Sequence, residues 1–155
     1  MAAAPTPARV YEGRALNALL PHRYPFLLVD RIEVIEPGHQ VVGIKQLTIG
    51  EWWCESAETA IPAVLLLEGL AQTSGALIPD LAAGMVGAIA YFMGAERVRL
   101  RGAARVGDEV RFEVRLTQWR RGICRTVGEA RVADRVIVRA SMVTIVRGAG
   151  AQSSP

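Results

Sequence analysis

The stretch IPAVLLLEGLAQTSGALI, Ile61 to Ile78, constrains the fold more than any other part of the chain. It is apolar on nearly every side, the pattern of a helix buried all round. Pro62 suits a first helical turn, and Pro79 marks the expected end. Gly69, Ala71, Ser74, Gly75 and Ala76 are small, so strands can press close to such a helix. Glu68 breaks the pattern. A carboxylate in that position is costly unless it is paired or hydrogen-bonded, and Gln72, one turn on and on the same face, is the expected partner. Two readings of Glu68 stand: a functional carboxylate, or a structural one bonded to Gln72 and nearby backbone.

The segments around the helix read as strands. Phe26–Glu36 is β-branched and partly alternating, Glu36-Pro37-Gly38-His39 is a turn, and Gln40–Ile49 returns, which makes a hairpin. Arg14–Leu20 predicts a short helix that stops before Pro21. Gly50–Ala60 is a polar loop carrying Trp52 and Trp53. After Pro79 the period changes to two. Val86–Leu100 is a long strand with a bulge expected at Gly94. Glu109–Trp119, Ile123–Val132 and Val136–Val146 are three more strands, separated by the turns at Arg120-Arg121-Gly122 and Ala133-Asp134-Arg135. The order predicts an α+β domain whose antiparallel sheet wraps the long helix. Residues 1–11 and 148–155 are small and polar and are expected to be disordered tails around a domain spanning 12–147.

At 155 residues the chain is one domain and long enough for a core. Cys54 and Cys124 are far apart without metal-ligand spacing, so a reduced, cytoplasmic setting is expected, with no metal and no cofactor. The first residues lack an apolar core of signal-peptide length. Glu68 and the strands that follow argue against a membrane span. Up to Pro79 there are five Arg/Lys against eight Asp/Glu; from Asp80 onward there are thirteen against seven. The basic second half suggests an acidic partner. Its arginines alternate with apolar residues along strands and form no nucleic-acid motif, so nucleic acid is not expected.

Several segments resemble one family. LPHRYPFLLVDRIEVIEPG (Leu20–Gly38) followed by VVGIKQLTI looks like the opening of FabZ-type 3-hydroxyacyl-acyl-carrier-protein dehydratases. IPAVLLLEGLAQTSG (Ile61–Gly75) resembles that family's central helix, and FMGAERVRLRGAARVGD (Phe92–Asp108) its FAG…RFRRPVVPGD segment. RRGICR (Arg120–Arg125) and the last strand also fit. Four separated motifs in order, over roughly residues 12–147, make the resemblance specific. It implies the hot-dog fold, a six-stranded antiparallel sheet curled around one long helix. It also implies homodimers, with each site combining a histidine from the loop before the helix and a carboxylate on the partner's helix. The implied substrates are acyl thioesters on a carrier protein or CoA.

The carboxylate is present as Glu68; the loop histidine is not. Where the family reads much like QGHFPGxPxMPGVL, this chain has WWCESAETAIPAVL. Counting back from Glu68, Cys54 takes the histidine's place; counting forward from Glu51, Ser56 or its neighbours do. The two histidines, His22 and His39, fit structural or surface roles, and His22 enters the site only if the N-terminal segment packs differently.

Dehydration of a 3-hydroxyacyl thioester needs a base for the α-proton, an acid for the leaving hydroxyl, and donors for the thioester oxygen. Ala63 and Val64 N–H, at a helix N-terminus, suit the third role. Glu68 suits the second. For the first, Cys54 is a candidate, with Glu55 and Glu58 more simply read as solvated. Trp52 and Trp53 either cap an acyl pocket or anchor the loop. Arg97, Arg99, Arg101 and Arg105 form a basic strip that the resemblance aims at an acidic carrier protein; a merely solvated strand face is the other reading. Two other functions use the same residues: a thioesterase acting through Glu68, and a non-catalytic subunit that binds acyl carrier or pairs with an active homologue.

Overall fold

Alternation in Glu109–Arg120 sets the centre of the sheet. Val110, Phe112 and Val114 are buried, while Arg115 points to solvent. In the computed structural model, which describes residues 7–148, this strand is β5. The full order is β1 (Arg9–Glu12), α1 (Gly13–Leu19), β2 (Arg31–Glu36), β3 (Gln40–Gln46), α2 (Ala63–Gly75), α3 (Ile78–Leu81), β4 (Ile89–Leu100), β5, β6 (Ile123–Val132) and β7 (Arg135–Arg147). Among the described residues the strands form one antiparallel sheet in the order β1-β2-β3-β5-β6-β7-β4.

The six expected strands are all present, and β1 adds a seventh. Val10 and Tyr11 of β1 pair with Glu33 and Ile32, so part of the expected N-terminal tail lies in the sheet. The rest of that tail up to residue 6, and residues 149–155 of the C-terminal one, lie outside the described residues. Phe26–Asp30 is not strand but an irregular segment: Phe26 and Leu28 bond through their backbone to the Gln72 side chain, and the sheet is reached only at Asp30, whose N–H donates to the Ile44 carbonyl at 2.8 Å. The bulge expected at Gly94 is there as a register shift between Phe92 and Gly94. A second shift lies between Glu96 and Arg99, where Arg97 has φ 52°.

The central helix is shorter than its apolar run. It ends at Gly75, and a separate turn of helix follows at Ile78–Leu81. Pro79 therefore opens α3 instead of closing α2; in a first turn its missing N–H costs nothing.

Close approach of helix to sheet rests on glycines from both sides. A Cβ on Gly69 would come within 2.4 Å of the Phe112 ring, and one on Gly43 within 2.2 Å of Thr73 Oγ1. A Cβ on Gly128 would come within 2.8 Å of Leu70. Gly43 and Phe112 are register partners on β3 and β5, so the ring rises beside a bare backbone and meets the bare helix position above it. Thr73 Oγ1 donates to the Gly69 carbonyl at 2.7 Å, which keeps the hydroxyl satisfied in that tight contact. These fits set the depth and rotation of α2, and with them the direction in which Glu68 points.

Candidate active site

With Leu65, Leu66, Gly69, Leu70 and Thr73 buried, the opposite stripe of α2 is left partly open. Val64, Leu67, Glu68, Ala71 and Gly75 recur at helical spacing along it. Val64 is 68% exposed. The Glu68 side chain is 30% exposed. The expectation of a helix buried all round is thus corrected: the sheet curls over one side only, and cavities occupy the other.

Two cavities meet on that stripe. The larger, about 820 Å³, runs from His22 and Gln72 past Glu68 to Ile78, Ile89 and Phe92. The smaller, about 410 Å³, is lined by Phe26, Val64, Leu67, Glu68, Ala71 and Phe92. Glu68, Ala71 and Phe92 belong to both, so the carboxylate stands where the two join. The larger is of a size that takes a small-molecule ligand or an acyl chain.

Gln72 is the partner expected of Glu68, and it does more. Its Nε2 donates to Glu68 Oε1 at 2.9 Å and to the Phe26 carbonyl at 2.8 Å, while its Oε1 accepts from Leu28 N–H at 2.9 Å. One buried amide therefore orients the carboxylate and staples the Phe26–Leu28 segment to the helix. The other end of that segment is held by Arg23. Its guanidinium donates to the carbonyls of Asn17, Leu20 and His22, at 3.0, 2.8 and 2.7 Å.

Between these two clamps His22 turns toward the cavity. Its Nε2 lies 3.7 Å from Glu68 Oε1. Among the described residues its Nδ1 is buried without a hydrogen-bond partner. His22, expected in a structural or surface role unless the N-terminal segment packs differently, is brought by that segment against Glu68. The PHRYP motif carried the residue, but nothing in its spacing to Glu68 signalled contact across 46 positions. His39 is where it was expected, in the hairpin turn, with Nδ1 3.1 Å from Glu36.

The loop residues stand apart. Neither Cys54, Trp52 nor Trp53 lines either cavity of the single chain. Cys54 Sγ donates to the Ser56 carbonyl at 3.2 Å. Trp53 packs on the core, as a loop anchor does, and Trp52 is exposed. The loop's first turn is tied down by Lys45, whose Nζ lies 2.9 Å from Glu51 and 3.1 Å from Asp30. Burial draws the Lys45 pKa down, but the two carboxylates outweigh it and hold the ammonium above its ordinary value. The other thiol, Cys124, is sealed in the core, and burial pushes it up to about 11.

Ala63 and Val64 begin α2, where Pro62 already accepts from Leu65 N–H. Their N–H groups are the unpaired donors of a helix start, beside the small cavity. Arg97, Arg99, Arg101 and Arg105 are all exposed on β4 and the loop after it.

An open antiparallel sheet curled around one helix, with a carboxylate on the uncovered stripe, is the hot-dog architecture. The FabA-like domain family model matches residues 20–141. A 3-hydroxyacyl-[acyl-carrier-protein] dehydratase FabZ of Roseiflexus castenholzii is 41% identical over 83% of this chain and 91% of its own. The FabZ of Caulobacter sp. strain K31 is 39% identical over 90% and 87%. The chain therefore belongs to the FabZ dehydratase family within the FabA-like domains. Among solved structures, the dehydratase heterocomplex ApeI:P from Xenorhabdus doucetiae aligns with a TM-score of 0.72 at 16% identity, covering 86% of this chain and 91% of that one. A hypothetical thioesterase with coenzyme A from Streptococcus pneumoniae aligns at 0.61 and 14% identity, covering 76% and 86%. At such identities these two speak for the fold alone.

Proposed function

We propose that the protein dehydrates 3-hydroxyacyl thioesters presented by an acyl carrier protein, in fatty-acid or related biosynthesis in the cytoplasm. The observation that carries this reading is Glu68, oriented by Gln72 at the mouth shared by two cavities. One cavity takes the acyl chain, and the other leads toward the helix start. There Ala63 and Val64 N–H polarise the thioester carbonyl, stabilising the negative charge that develops when the α-proton leaves. Glu68 delivers the proton that lets the hydroxyl depart as water.

The test offers purified protein both 3-hydroxyacyl- and saturated acyl-thioesters. Enoyl product from the first supports the dehydratase. Free thiol from the second would instead make it a thioesterase, with Glu68 activating water or attacking the carbonyl. Neither product would leave an acyl-carrier-binding subunit.

The open edge of β4 supports a two-chain assembly. Ile89, Tyr91, Phe92, Met93, Val98 and Leu100 are exposed along it, and among the described residues no strand pairs with its outer side. A long apolar edge of this kind is a template for another chain. A second copy placed there extends the sheet and covers the open stripe of α2. Light scattering should give at least twice the 16.7 kDa chain mass; a clean monomer at micromolar concentration would remove this assembly. Pairing with a homologue that has the loop histidine is the alternative occupant, suggested by the loop's lack of one.

The exposed arginines after the bulge suit an acidic carrier. Reversing two of them, Arg99→Glu with Arg101→Glu, should weaken carrier binding and flatten its salt dependence, with little change in stability. Carrier affinity that survives the double reversal would exclude this surface.

A further inference from the structure

Cys54, the base candidate on the loop, does not line the cavities that hold Glu68 in the single chain. The chain has two histidines, and one of them, His39, is engaged with Glu36 in an exposed turn. The other stands in the cavity wall beside Glu68. We propose that His22 is the base of this site, so that one chain supplies both halves of the acid–base pair. This rests on the dehydratase reading.

Three observations point to His22. Its Nε2 lies 3.7 Å from Glu68 Oε1, and both side chains line the larger cavity. Both are partly open to that cavity, at 35% and 30% exposure, so a substrate atom can reach either. Its Nδ1 is buried with no hydrogen-bond partner among the described residues. Buried polar atoms are seldom left so, and those that are call for a functional or ligand-borne explanation. A structural histidine would be held by its ring nitrogens; here neither one makes a hydrogen bond among the described residues. Position comes from the backbone instead. Arg23 binds the His22 carbonyl itself, and Gln72 binds the chain four and six residues on. The same Gln72 amide holds Glu68, so both groups are referred to one buried residue.

The chemistry balances on the pair. Neutral His22 takes the proton from C2 of the acyl chain through Nε2. The freed electron pair forms the C2–C3 double bond as the C3–O bond breaks. The hydroxyl leaves as water with the proton of the Glu68 carboxyl. The pair is then imidazolium and carboxylate, and transfer of one proton from His22 to Glu68, directly after a side-chain rotation or through the released water, restores the starting state. Imidazole is the side chain best suited to such an exchange near neutral pH.

The test compares wild type with His22→Ala, His22→Gln and His39→Ala, using a short 3-hydroxyacyl thioester in the forward direction and the enoyl thioester in deuterated water in reverse. With His22 as base, His22→Ala loses at least about a hundredfold in turnover and in deuterium placed at C2. Added imidazole restores part of both. His22→Gln, which keeps shape and polar contact, stays as slow and is not rescued, because its cavity is filled. His39→Ala runs at the wild-type rate. A wild-type rate in His22→Ala, or full recovery in His22→Gln, overturns the proposal while leaving the dehydratase reading in place. Wild-type protein that forms no enoyl product and places no deuterium fails at the earlier step, the reaction itself, and takes the proposal with it. Thermal melts of all variants within a few degrees of wild type confirm that slow variants are folded.

Discussion

Glu68→Gln should lower turnover at least about a hundredfold with the fold intact. The amide keeps the size of the side chain, and its oxygen can still accept from Gln72 Nε2, which donates to Glu68 Oε1 at 2.9 Å. What disappears is the transferable proton, and loss of a positioned acid–base group costs about two to four powers of ten. Stability should hardly move. The side chain is 30% exposed, and its contact with His22 is a half-exposed pair at 3.7 Å, of the kind that contributes at most about 1 kcal/mol. A thioesterase centred on Glu68 would lose as much, on a different substrate. The two activities are read separately, as enoyl product and as free thiol. Wild-type rates of both in the variant would end both catalytic readings, because no other carboxylate lies on α2. A subunit that only binds acyl carrier would show neither product in wild type, and its carrier affinity should survive the substitution.

The largest effect on the molecule as a whole is expected from Gln72→Leu. Leucine matches the buried volume but removes every polar partner. Leu28 N–H loses its acceptor, and the Phe26 carbonyl and Glu68 lose their donor. Each buried group left unsatisfied costs about 1–3 kcal/mol. Glu68 is open to the cavity and can turn to water, so the sum over the two backbone groups is about 2–6 kcal/mol, a large share of the 5–15 kcal/mol typical of a domain. Urea denaturation should show a lower midpoint with little change in slope. Activity should fall further than the loss of folded protein explains, because Glu68 and the segment carrying His22 lose their common reference. A midpoint equal to wild type would show that water takes over these bonds, and that the amide is not what holds the segment.

Much of this architecture was legible in the residues. The alternation of Val110, Phe112 and Val114 against Arg111, Glu113 and Arg115 fixes a half-buried strand, since successive side chains of a strand point to opposite faces. The apolar run around Glu68 fixed a helix that strands must wrap, and the one-turn spacing from Glu68 to Gln72 named the carboxylate's partner. Such patterns are local, and local geometry is what a periodic sequence encodes. The end of α2 was less legible: Pro79 could close one helix or open another, and the chain tightens before it, with Ala76 and Leu77 N–H donating to the Thr73 and Ser74 carbonyls three residues back. β1 escaped for a related reason. Four residues carry little pattern, and it is the pairing with β2 that makes Arg9–Glu12 a strand.

The site was half legible. Chemistry marked Glu68, because an ionisable group in an apolar run needs a reason. No local signal marked the other side chains that share its cavity. Gln72 binds the chain at Phe26 and Leu28 because the irregular segment passes over the helix there, and Arg23 gathers three carbonyls because α1 ends beside it. Those two clamps place His22 against a carboxylate 46 residues away. The sequence by itself determined which elements form and that one carboxylate would be costly. Only the tertiary structure decided what faces that carboxylate, because contacts between distant segments depend on how deeply the helix sinks into the sheet. That depth is set by Gly43, Gly69 and Gly128, where the absence of a side chain lets the two layers meet.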